Sequence, residues 1–588
     1  MNRANEGLRR TQIAAFLNLF TPKLVTILKE GYGLKDLRAD ILSGLTVAIV
    51  ALPLSMAIAI ASGASPERGL YTAVVGGFLI SCLGGSRFQI GGPAAAFTVI
   101  VATTISRHGL DGLFLATFMA GVFLVLIGFL RLGSYIKFIP YPVTVGFISG
   151  IAIILFAGQI HDLFGLTLAS KEPPELLAKM TALWISKGTV NPWAVVISAA
   201  TIVTIATLKR VRPTWPGILI AITFGGLIAY AFKLPLETIG TRFGGIPSSL
   251  PMPALPALSF AKIKEVLPDA MSFTLLGAIE SLLSAMVADG MTGRRHRSNM
   301  ELVAQGIANM ASALFGGIPA TGTIARTVTN VRSGARGPVS GIFHALFIVL
   351  FMLVAAPLAS FIPLASLAGV LAIVAWNMAE KHEIYTLVRT SWGDAVVLLT
   401  TLGLTVFRSL SEAIVVGFSL GALLFIHRMS VATGIESHVP TLVDDVPDSA
   451  NSDRSHYDAG LAVDRDLVVY RLTGAFFFGA AGAVSSVLES IADRHKAFVL
   501  DFTAVPFIDT TAANSLTGVV RNAHRHGVKV VLSGTSADIR KVLQSRGIDD
   551  FEVKFCEHLD DAISVAHSLT HTEAHSTAPA APTPMTKV

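Results

Sequence analysis

One acidic residue, Glu280, lies inside an otherwise uncharged apolar run that extends from Met271 to Val287. If this run crosses a bilayer, a carboxylate at its middle costs about 3 kcal/mol or more. Such a residue is retained either because it takes up a proton or holds a cation, or because it stays neutral and bonds to a neighbouring helix. Both interpretations are open for Glu280, and the first predicts a group that couples an ion to the function of the protein.

Two proline-led segments at matching places in the chain predict a second kind of chemistry. Gly91-Gly92-Pro93 follows Gly63, and Gly316-Gly317-Ile318-Pro319 follows Gly290, with glycine-to-proline separations of 30 and 29 residues. A helix that begins at mid-membrane exposes unpaired N–H groups and the positive end of its dipole, so two such starts attract an anion. The alternative is a pair of kinks for close helix packing. Arg326, seven residues past the second proline, either adds fixed positive charge there or snorkels and pairs with a carboxylate.

The composition places these segments in a membrane. Of 588 residues, 52% are hydrophobic and 14% are charged, and the mean hydropathy is +0.64, whereas a soluble protein has about 25% charged residues. The length predicts at least two domains. The net charge of +6 comes from basic loops between apolar runs, which favours cytoplasmic loops over nucleic-acid binding. With two cysteines and no CxxC or HExxH pattern, we expect no disulfide framework, metal or cofactor, and no enzyme.

About fourteen apolar segments are predicted, several of them shorter than the roughly 20 residues that a spanning helix needs. They start near Ile41, Leu70, Leu113, Ile139, Val195, Ile218, Ser272, Ile342, Leu364, Ala395 and Ala413, with interrupted runs after Pro93, Gly306 and Pro319. An even number of spans and the positions of the basic loops place both termini in the cytoplasm. The sequence therefore predicts a multi-pass protein of the inner (plasma) membrane.

A soluble α/β domain is predicted after the membrane region. Strands at 467–472, 497–502 and 528–532 alternate with helices at 480–494, 511–525 and 536–546, which indicates a small sheet with helices packed against it. We predict a cytoplasmic N-terminal segment over 1–39, a transmembrane transport domain over 40–430, the α/β domain over 440–568 and a disordered tail over 569–588.

Several stretches of this sequence resemble the sulfate permease (SulP) family of anion transporters. They are LPLSMAIAIASGASPERGLYTA at 52–73, GGSRFQIGGPAAAF at 84–97 and the run at 299–336, and VLDFTAVPFIDTTAANSL at 499–516 resembles the STAS domain of that family. The resemblance covers nearly the whole chain and is strongest for the bacterial bicarbonate-transporter branch. It implies a polytopic α-helical membrane protein of 14 segments as a 7+7 inverted repeat, with core and gate domains, a cytoplasmic α/β STAS domain and a homodimeric assembly.

The resemblance also implies a set of site residues. The family binds its anion between the N-termini of the third and tenth helices, mainly through backbone amides, and the matching positions are Ala94, Ala95, Ala96, Phe97, Gly322, Thr323, Ile324, Ala325 and Arg326. The acidic residue of the eighth helix falls on Glu280, with Ser284 one turn later, as the pair for the coupling ion. In related STAS proteins a serine after a strand is phosphorylated. Thr510 and Thr511 hold that place here, either for regulation or as part of a helix N-cap.

Departures from the family pattern bear on the coupling ion and the substrate. Sodium-coupled bicarbonate carriers have Asp where this chain has Glu280, and a hydroxyl residue where it has Ile324, which offers no oxygen to a hard cation. We therefore expect proton coupling rather than sodium coupling. The glutamine that is frequent in the first helix is Leu54 here, so one side-chain contact to the anion is lost.

The predicted function is secondary active transport of a small inorganic or carboxylate anion, bicarbonate or sulfate before others, as a proton-coupled symporter with an elevator-like motion. The expected partners are the anion, a proton or sodium ion, the lipid bilayer and a second copy of the chain, with no nucleic acid. The alternatives are a sodium-coupled bicarbonate symporter, a C4-dicarboxylate carrier, and an uncoupled anion channel or exchanger. A nucleobase carrier of this fold would lack the STAS region, and a membrane-tethered regulatory scaffold would not need both proline-led half-helices.

Overall fold

A computed structural model of the chain describes residues 19–135, 140–169, 172–173, 175–212, 215–256, 259–408, 410–437, 467–481, 496–549 and 553–571. The chain divides into two compact units, Met1–Gly421 and Ala422–Val588. Several predicted features lie outside the described residues. They are the first 18 residues of the N-terminal segment, the span start near Ile139, residues 482–494 of the predicted helix at 480–494, and residues 572–588 of the tail.

The first unit is helical, and its first half comprises α1 (Lys23–Gly31), α2 (Leu34–Ala61), α3 (Pro66–Tyr71), α4 (Gly77–Leu83), strand β1 (Gly91–Pro93), α5 (Thr98–Phe129), α6 (Tyr141–Phe164), α7 (Leu176–Ile185), α8 (Pro192–Val211) and α9 (Gly217–Ala231). A π-helical turn at Thr72–Gly76 joins α3 to α4, and a 3₁₀ turn at Ala95–Phe97 leads into α5. Further 3₁₀ turns at Leu132–Ser134 and Ser186–Thr189 follow α5 and α7.

The second half repeats this order of long helices around a short strand. It comprises α10 (Ile239–Phe243), α11 (Phe260–Thr292), α12 (Ser298–Leu314), strand β2 (Ala320–Gly322), α13 (Ile324–Arg332), α14 (Val339–Ala359), α15 (Leu364–Met378), α16 (Lys381–Thr390), α17 (Trp392–Phe407) and α18 (Leu410–Ala432).

The described residues include eight helices that are long and apolar enough to cross a membrane: α2, α5 with its 3₁₀ turn, α6, α8, α11, α14, α15 continued by α16, and α18. Helix α5 is two segments rather than one, because Gly109 (φ 69°, ψ −173°) breaks it in a conformation that favours glycine. With α3–α4, α9, α12, α13 and α17, the described residues hold fourteen segments, as predicted.

Helix α11 begins twelve residues before the start predicted near Ser272. Its first turns carry Lys262, Lys264 and Pro268. Because charged residues and proline interrupt an apolar run, the predicted segment began only after them. Hydropathy reports the part of a helix that lies in hydrocarbon, whereas the helix itself continues wherever its backbone can be hydrogen-bonded.

Packing divides the membrane helices into two groups. In one group α2, α4, α5 and α11–α14 pack on one another, and in the other α6, α8, α9, α15 and α17 do so. The groups meet where α2 contacts α9 and α15, and where the 3₁₀ turn at Ala95–Phe97 contacts α6. This division agrees with the core and gate domains that the resemblance implies.

Helices α5 and α12 of the first group cross at a very short distance. A β-carbon added to Gly306 would lie 2.5 Å from the Gly121 carbonyl oxygen, and one added to Gly121 would lie 2.6 Å from the Gly306 carbonyl oxygen. The α2–α14 crossing is as close, since a β-carbon on Gly44 would lie 2.5 Å from the Ser340 carbonyl oxygen. In lipid, helices associate through such close contacts of small residues. The two glycines therefore fix the distance between α5 and α12, each of which adjoins one of the short strands.

The second unit is an α/β structure built on a five-stranded sheet. The strands are β3 (Gly434–Ser437), β4 (Leu467–Thr473), β5 (Ala497–Ala504), β6 (Lys529–Ser533) and β7 (Lys554–Cys556), and the helices are α19 (Thr510–Arg525), α20 (Ala537–Gln544) and α21 (Leu559–His571). The strand order is β3-β4-β5-β6-β7, with β3 antiparallel to β4 and the remaining neighbours parallel. Helices cover both faces, because Phe498 and Leu500 pack with α19 residues while Val499 packs with α21 residues.

The predicted strands and helices of this unit agree with the structure to within about three residues where the structure describes them. Sequence reasoning missed β3, β7 and α21. Strand β3 lies before residue 440, where the domain was predicted to begin, and β7 has only three residues, too short for a period-two pattern.

The buried carboxylate of the second unit is Asp501 on β5, which is 1% exposed. Burial acts to raise its pKa, but hydrogen bonds from Thr503 and Arg471 outweigh burial and hold the pKa of Asp501 below its usual range. The Arg471 Nε–Asp501 Oδ2 distance is 2.8 Å, and Thr503 N donates to Oδ1 at 3.0 Å. A lowered folded-state pKa stabilises the fold above the unfolded value of about 3.9, and this stabilisation is lost as the pH falls through the folded value.

We therefore expect Asp501→Asn to destabilise the second unit at neutral pH by about 1–3 kcal/mol, because Arg471 loses its charged acceptor. The variant should also lose much of the additional destabilisation that the natural protein shows below about pH 4. Hydrogen exchange of a peptide covering β5 in the full chain, corrected for intrinsic rates, measures both effects. The exposed Asp538→Asn is the control, and equal acid sensitivity in both variants would contradict the assignment.

Candidate functional site

The two proline-led segments meet as paired strands. β1 and β2 run antiparallel, with Pro93 opposite Ala320. The pairing continues at Thr323, whose N–H donates to the Ile90 carbonyl oxygen at 3.0 Å. Non-helical backbone at membrane depth is tolerated only where its polar groups are satisfied within the protein or line a cavity. The paired strands meet that condition and place the start of α5 beside the start of α13.

Gly91 of β1 and Gly322 of β2 lie where neighbouring side chains leave no room for a β-carbon. A β-carbon on Gly322 would lie 1.4 Å from Gln89 Nε2, and one on Gly91 would lie 2.2 Å from Ile80 Cδ1. Gln89 Nε2 in turn donates to Ser281 Oγ of α11 at 3.0 Å. Gly91 and Gly322 thus serve the close approach of the strands to their surroundings and not merely a kink in a helix.

Asn309 of α12 forms hydrogen bonds with the backbone of β2, in addition to those that β2 forms with β1. Its Oδ1 accepts the Ala320 N–H at 2.9 Å, and its Nδ2 donates to the Ala320 carbonyl oxygen at 2.8 Å. Gln305 and Glu301, one and two turns earlier, are linked by a 3.1 Å hydrogen bond, and the Ser86 N–H donates to Glu301 at 3.0 Å. Sequence reasoning missed this ladder, although polar residues at i, i+4 and i+8 of an apolar helix were a visible signal.

Both helix starts lack a side-chain cap. Neither Ala94, before the 3₁₀ turn, nor Thr323, before α13, caps the helix that follows it. The first N–H groups of a helix have no intrahelical acceptor, so these amides are available to an anion. The structure therefore brings together the nine positions predicted for substrate binding.

The nine positions differ in exposure. Ala325 is exposed, Ala95 and Ile324 are half-buried, and the remaining predicted binding residues are buried. The Phe97 ring packs edge-on against Phe273 of α11, with centroids 5.9 Å apart. Ala325, Ile324 and Ala95 consequently form the accessible part of the site.

Arg326 is buried, with 2% of its surface exposed, and it contacts both α2 and β1. Its Nη2 donates to Ser55 Oγ of α2 at 3.0 Å and to the Pro93 carbonyl oxygen at 3.2 Å. A β-carbon on Gly92 would lie 1.9 Å from its Nη1. Nε and Nη1 have no hydrogen-bond partner among the described residues. A residue of α13 therefore carries positive charge to the beginning of the other half-helix.

Glu280 of α11 is half-buried, and its Oε2 is buried without a hydrogen-bond partner in the described part of the chain. The opposite charge that acts on it is the Arg326 guanidinium, yet the two side chains form no direct ion pair in that part of the chain. The structure gives no support to the alternative of a carboxyl bonded to a neighbouring helix, because that bond is not present at Oε2.

Ser284 lies one turn after Glu280 and is fully buried. Its Oγ donates to Thr327 Oγ1 at 3.0 Å, and the same Thr327 oxygen accepts the Ile90 N–H at 3.2 Å. The Ser284 hydroxyl is thus part of a chain of hydrogen bonds that ties α11 to α13 and to the segment before β1.

Thr510 and Thr511, the predicted regulatory residues, are exposed at the start of α19 in the second unit. The N-cap of α19 is Asp509, whose Oδ1 accepts the Ala512 N–H at 2.8 Å, while its Oδ2 accepts the Phe478 N–H at 3.0 Å. Asp509 supplies the cap, so both threonine hydroxyls are accessible at a helix N-terminus. Over the described ranges, no three His, Cys, Asp or Glu side chains come together as a metal site.

Comparisons with known proteins identify the family of the chain. The family model described as the sulfate permease family matches residues 37–401, and the STAS domain model matches residues 460–562. The putative sulfate transporter YvdB of Bacillus subtilis is 40% identical over 521 residues, which cover 88% of this chain and 95% of that protein. The bicarbonate transporter BicA of Picosynechococcus is 31% identical over 536 residues, covering 87% and 91%.

Solved structures confirm the predicted fold class. The transmembrane domain of a cyanobacterial bicarbonate transporter BicA aligns with a TM-score of 0.60 and 33% identity, covering 65% of this chain and 98% of that one. The murine Slc26a9 anion transporter in its inward-facing state aligns with a TM-score of 0.81 over 94% of this chain and 95% of that one, and at 17% identity it supports the fold alone. The chain therefore belongs to the sulfate permease family of anion transporters and carries a C-terminal STAS domain.

Proposed function

We propose that this protein takes up a small anion, with bicarbonate and sulfate as the first candidates, by proton-coupled symport. The observation that carries the proposal is the pairing of β1 with β2, which places two uncapped helix starts beside the buried Arg326 guanidinium. Amide N–H groups, helix dipoles and a guanidinium all favour negative charge. The relatives that are named as sulfate and bicarbonate transporters support this substrate class.

The anion would bind through the backbone at Ala94, Ala95, Ala96 and Phe97 of the first helix start and at Gly322, Thr323, Ile324, Ala325 and Arg326 of the second. The accessible positions are small or apolar, so recognition would rest on amides and fixed charge rather than on side-chain hydroxyls. Such a site suits a compact anion.

Glu280 would take up the proton that accompanies the anion. Its buried, unpaired Oε2 faces a strong cost when ionised at membrane depth, of about 3 kcal/mol or more. Protonation removes this charge in the same step in which the anion adds one near Arg326. The pairing of the two events would couple uptake of the anion to the proton gradient.

This site offers fewer oxygen ligands than a sodium ion needs. The Ile324 side chain provides no oxygen, whereas a hard cation needs several oxygen ligands. Sodium coupling therefore ranks second, and the experiments below distinguish the two ions.

The transport domain (residues 40–430) would work by an elevator-like motion of the first helix group against the second, in a homodimer with both termini in the cytoplasm. Basic residues such as Arg294, Arg332 and Arg336 then lie on the inner side, as the positive-inside rule requires. The STAS domain (440–568) would regulate transport, with Thr510 and Thr511 as accessible hydroxyls.

Uptake into liposomes tests the substrate and the coupling ion together. We expect the purified full chain to take up labelled bicarbonate or sulfate saturably when the outside is more acidic than the inside, and a sodium gradient alone to give no stimulation. Labelled succinate tests the C4-dicarboxylate alternative. Stimulation by sodium without protons would contradict proton coupling, and the absence of saturable counterflow would indicate a channel.

The role of Glu280 predicts a specific change in pH dependence. Glu280→Gln should abolish the acceleration by external acid, because an amide cannot take up a proton, while counterflow exchange of the anion persists. Glu280→Asp retains a titratable group and is the matched variant, in which acid stimulation should survive. Unchanged pH dependence of uptake in the Gln variant would show that the proton binds elsewhere.

The close approach of Gly92 to Arg326 predicts the effect of a single methyl group. Gly92→Ala should displace the guanidinium from Pro93 and Ser55 and lower the uptake rate about tenfold or more, as expected when a charged hydrogen bond worth about 1.5 kcal/mol or more is lost. Gly290→Ala is the control, because a β-carbon there has no neighbour within 4 Å. Equal uptake rates for the two variants would show that Arg326 does not contribute to the transport site.

A further inference from the structure

A second concave site lies in the first helix group, away from the paired strands. It is a cavity of about 400 Å³, lined by three arginines, Arg87, Arg294 and Arg336, together with Phe88, Thr292 and the turn at Gly334. These residues lie between α4 and β1, at the end of α11, and just after α13. No acidic side chain is among the residues that line the cavity.

The charge of the cavity is only partly neutralised. Arg87 pairs with Glu30 of α1 at 2.5 Å, and its side chain is 11% exposed. Arg294 and Arg336 are exposed, and neither forms an ion pair within the described residues. Three guanidinium groups therefore surround one cavity, and Glu30, which pairs with Arg87 and also acts electrostatically on Arg294, offsets only part of their charge.

The position of Arg336 is fixed by its backbone. Asp40 Oδ1 accepts the Arg336 N–H at 2.6 Å, and Asp40 Oδ2 accepts the Tyr32 hydroxyl at 2.6 Å. The Asp40 carboxylate thus accepts hydrogen bonds from two backbone amides, those of Arg336 and Gly337, and from a phenol, rather than from the Arg336 guanidinium. Gly334 (φ 88°) makes the left-handed turn that ends α13 and leads the chain back to Arg336.

We propose that this cavity binds a phosphate-bearing anion, either free phosphate or the headgroup of an anionic lipid. Guanidinium groups match phosphate oxygens with paired hydrogen bonds and remain charged at all physiological pH values. The volume lies within the range of about 300–1,000 Å³ that small-molecule sites occupy. The positive-inside rule accounts for arginines on this face, but it does not account for their convergence around a cavity.

The cavity is connected to the elements of the transport site. The Phe88 carbonyl oxygen accepts a hydrogen bond from Asn330 Nδ2 of α13 at 2.9 Å, and Thr292 ends the helix that carries Glu280. An anion held there bridges the segment before β1 to the ends of α11 and α13. This site is separate from the proposed transport site, and its occupancy does not depend on which anion is transported.

Equilibrium dialysis of labelled inorganic phosphate against the full chain in phosphatidylcholine nanodiscs tests the proposal. We expect one phosphate per chain to remain bound in the presence of saturating bicarbonate, a planar anion of single charge that competes for the transport site. Arg294→Gln/Arg336→Gln should weaken phosphate binding about tenfold or more, because two charge-assisted contacts are removed. Arg332→Gln is the matched control, since Arg332 is an exposed arginine of α13 that does not line the cavity.

A second arm identifies the source of the phosphate group. In phosphatidylglycerol nanodiscs, a headgroup in the cavity should weaken phosphate binding to the unmodified chain, and tightly retained phosphatidylglycerol should be lost from the double variant. Equal binding of phosphate by all three proteins, or an equal loss in Arg332→Gln, would overturn the proposal. So would the absence of both phosphate binding and retained phosphatidylglycerol. Monodisperse elution and an unchanged melting temperature check that the variants fold. Because none of these readouts is transport, failure of the proposed function leaves this test intact.

Discussion

The backbone hydrogen bonds between β1 and β2 are the constraint on which the rest of the transport site depends. Two chain segments leave their helices inside the membrane unit, where an unsatisfied amide or carbonyl costs several kcal/mol. Pairing the segments with each other satisfies them, and Asn309 satisfies the outer edge of β2. The close approach then requires Gly91 in β1 and Gly322 in β2, and it forces α5 and α13 to begin side by side.

Arg326 shows how this pairing would favour an anion in the proposed site. Its guanidinium is nearly fully buried, and the groups that bond to it are a hydroxyl and a carbonyl oxygen rather than a carboxylate. A buried cation without a direct counter-ion is costly, and Glu280 offsets it only at longer range. An anion at the helix starts would supply the missing charge, and protonation of Glu280 would leave that anion as the main partner of Arg326.

Much of the architecture was predictable from the sequence, because apolar runs, proline-led interruptions and β/α alternation each have a direct physical cause. The fourteen segments and the adjacent half-helix starts are examples. The start of α11 was not predictable from hydropathy, because Lys262 and Pro268 end the apolar run but not the helix. The contact of Arg326 with Pro93 joins residues 233 positions apart, and no local pattern encodes such a distance. Asn309 was recognisable as a polar residue in an apolar helix, but its partner Ala320 was not.

The location of the site within one helix group bears on how transport would occur. Strands β1 and β2, the helices α5, α11 and α13, and Ser55 of α2 all belong to the first group, so that group can move without breaking the hydrogen bonds of the site. Its contacts with the second group are apolar: Leu54 of α2 shares one buried cluster with Phe147 of α6 and Leu371 of α15. Apolar surfaces slide past each other without leaving donors or acceptors unpaired. This distribution of polar and apolar contacts favours the proposed elevator-like motion over a mechanism in which the two half-helices separate.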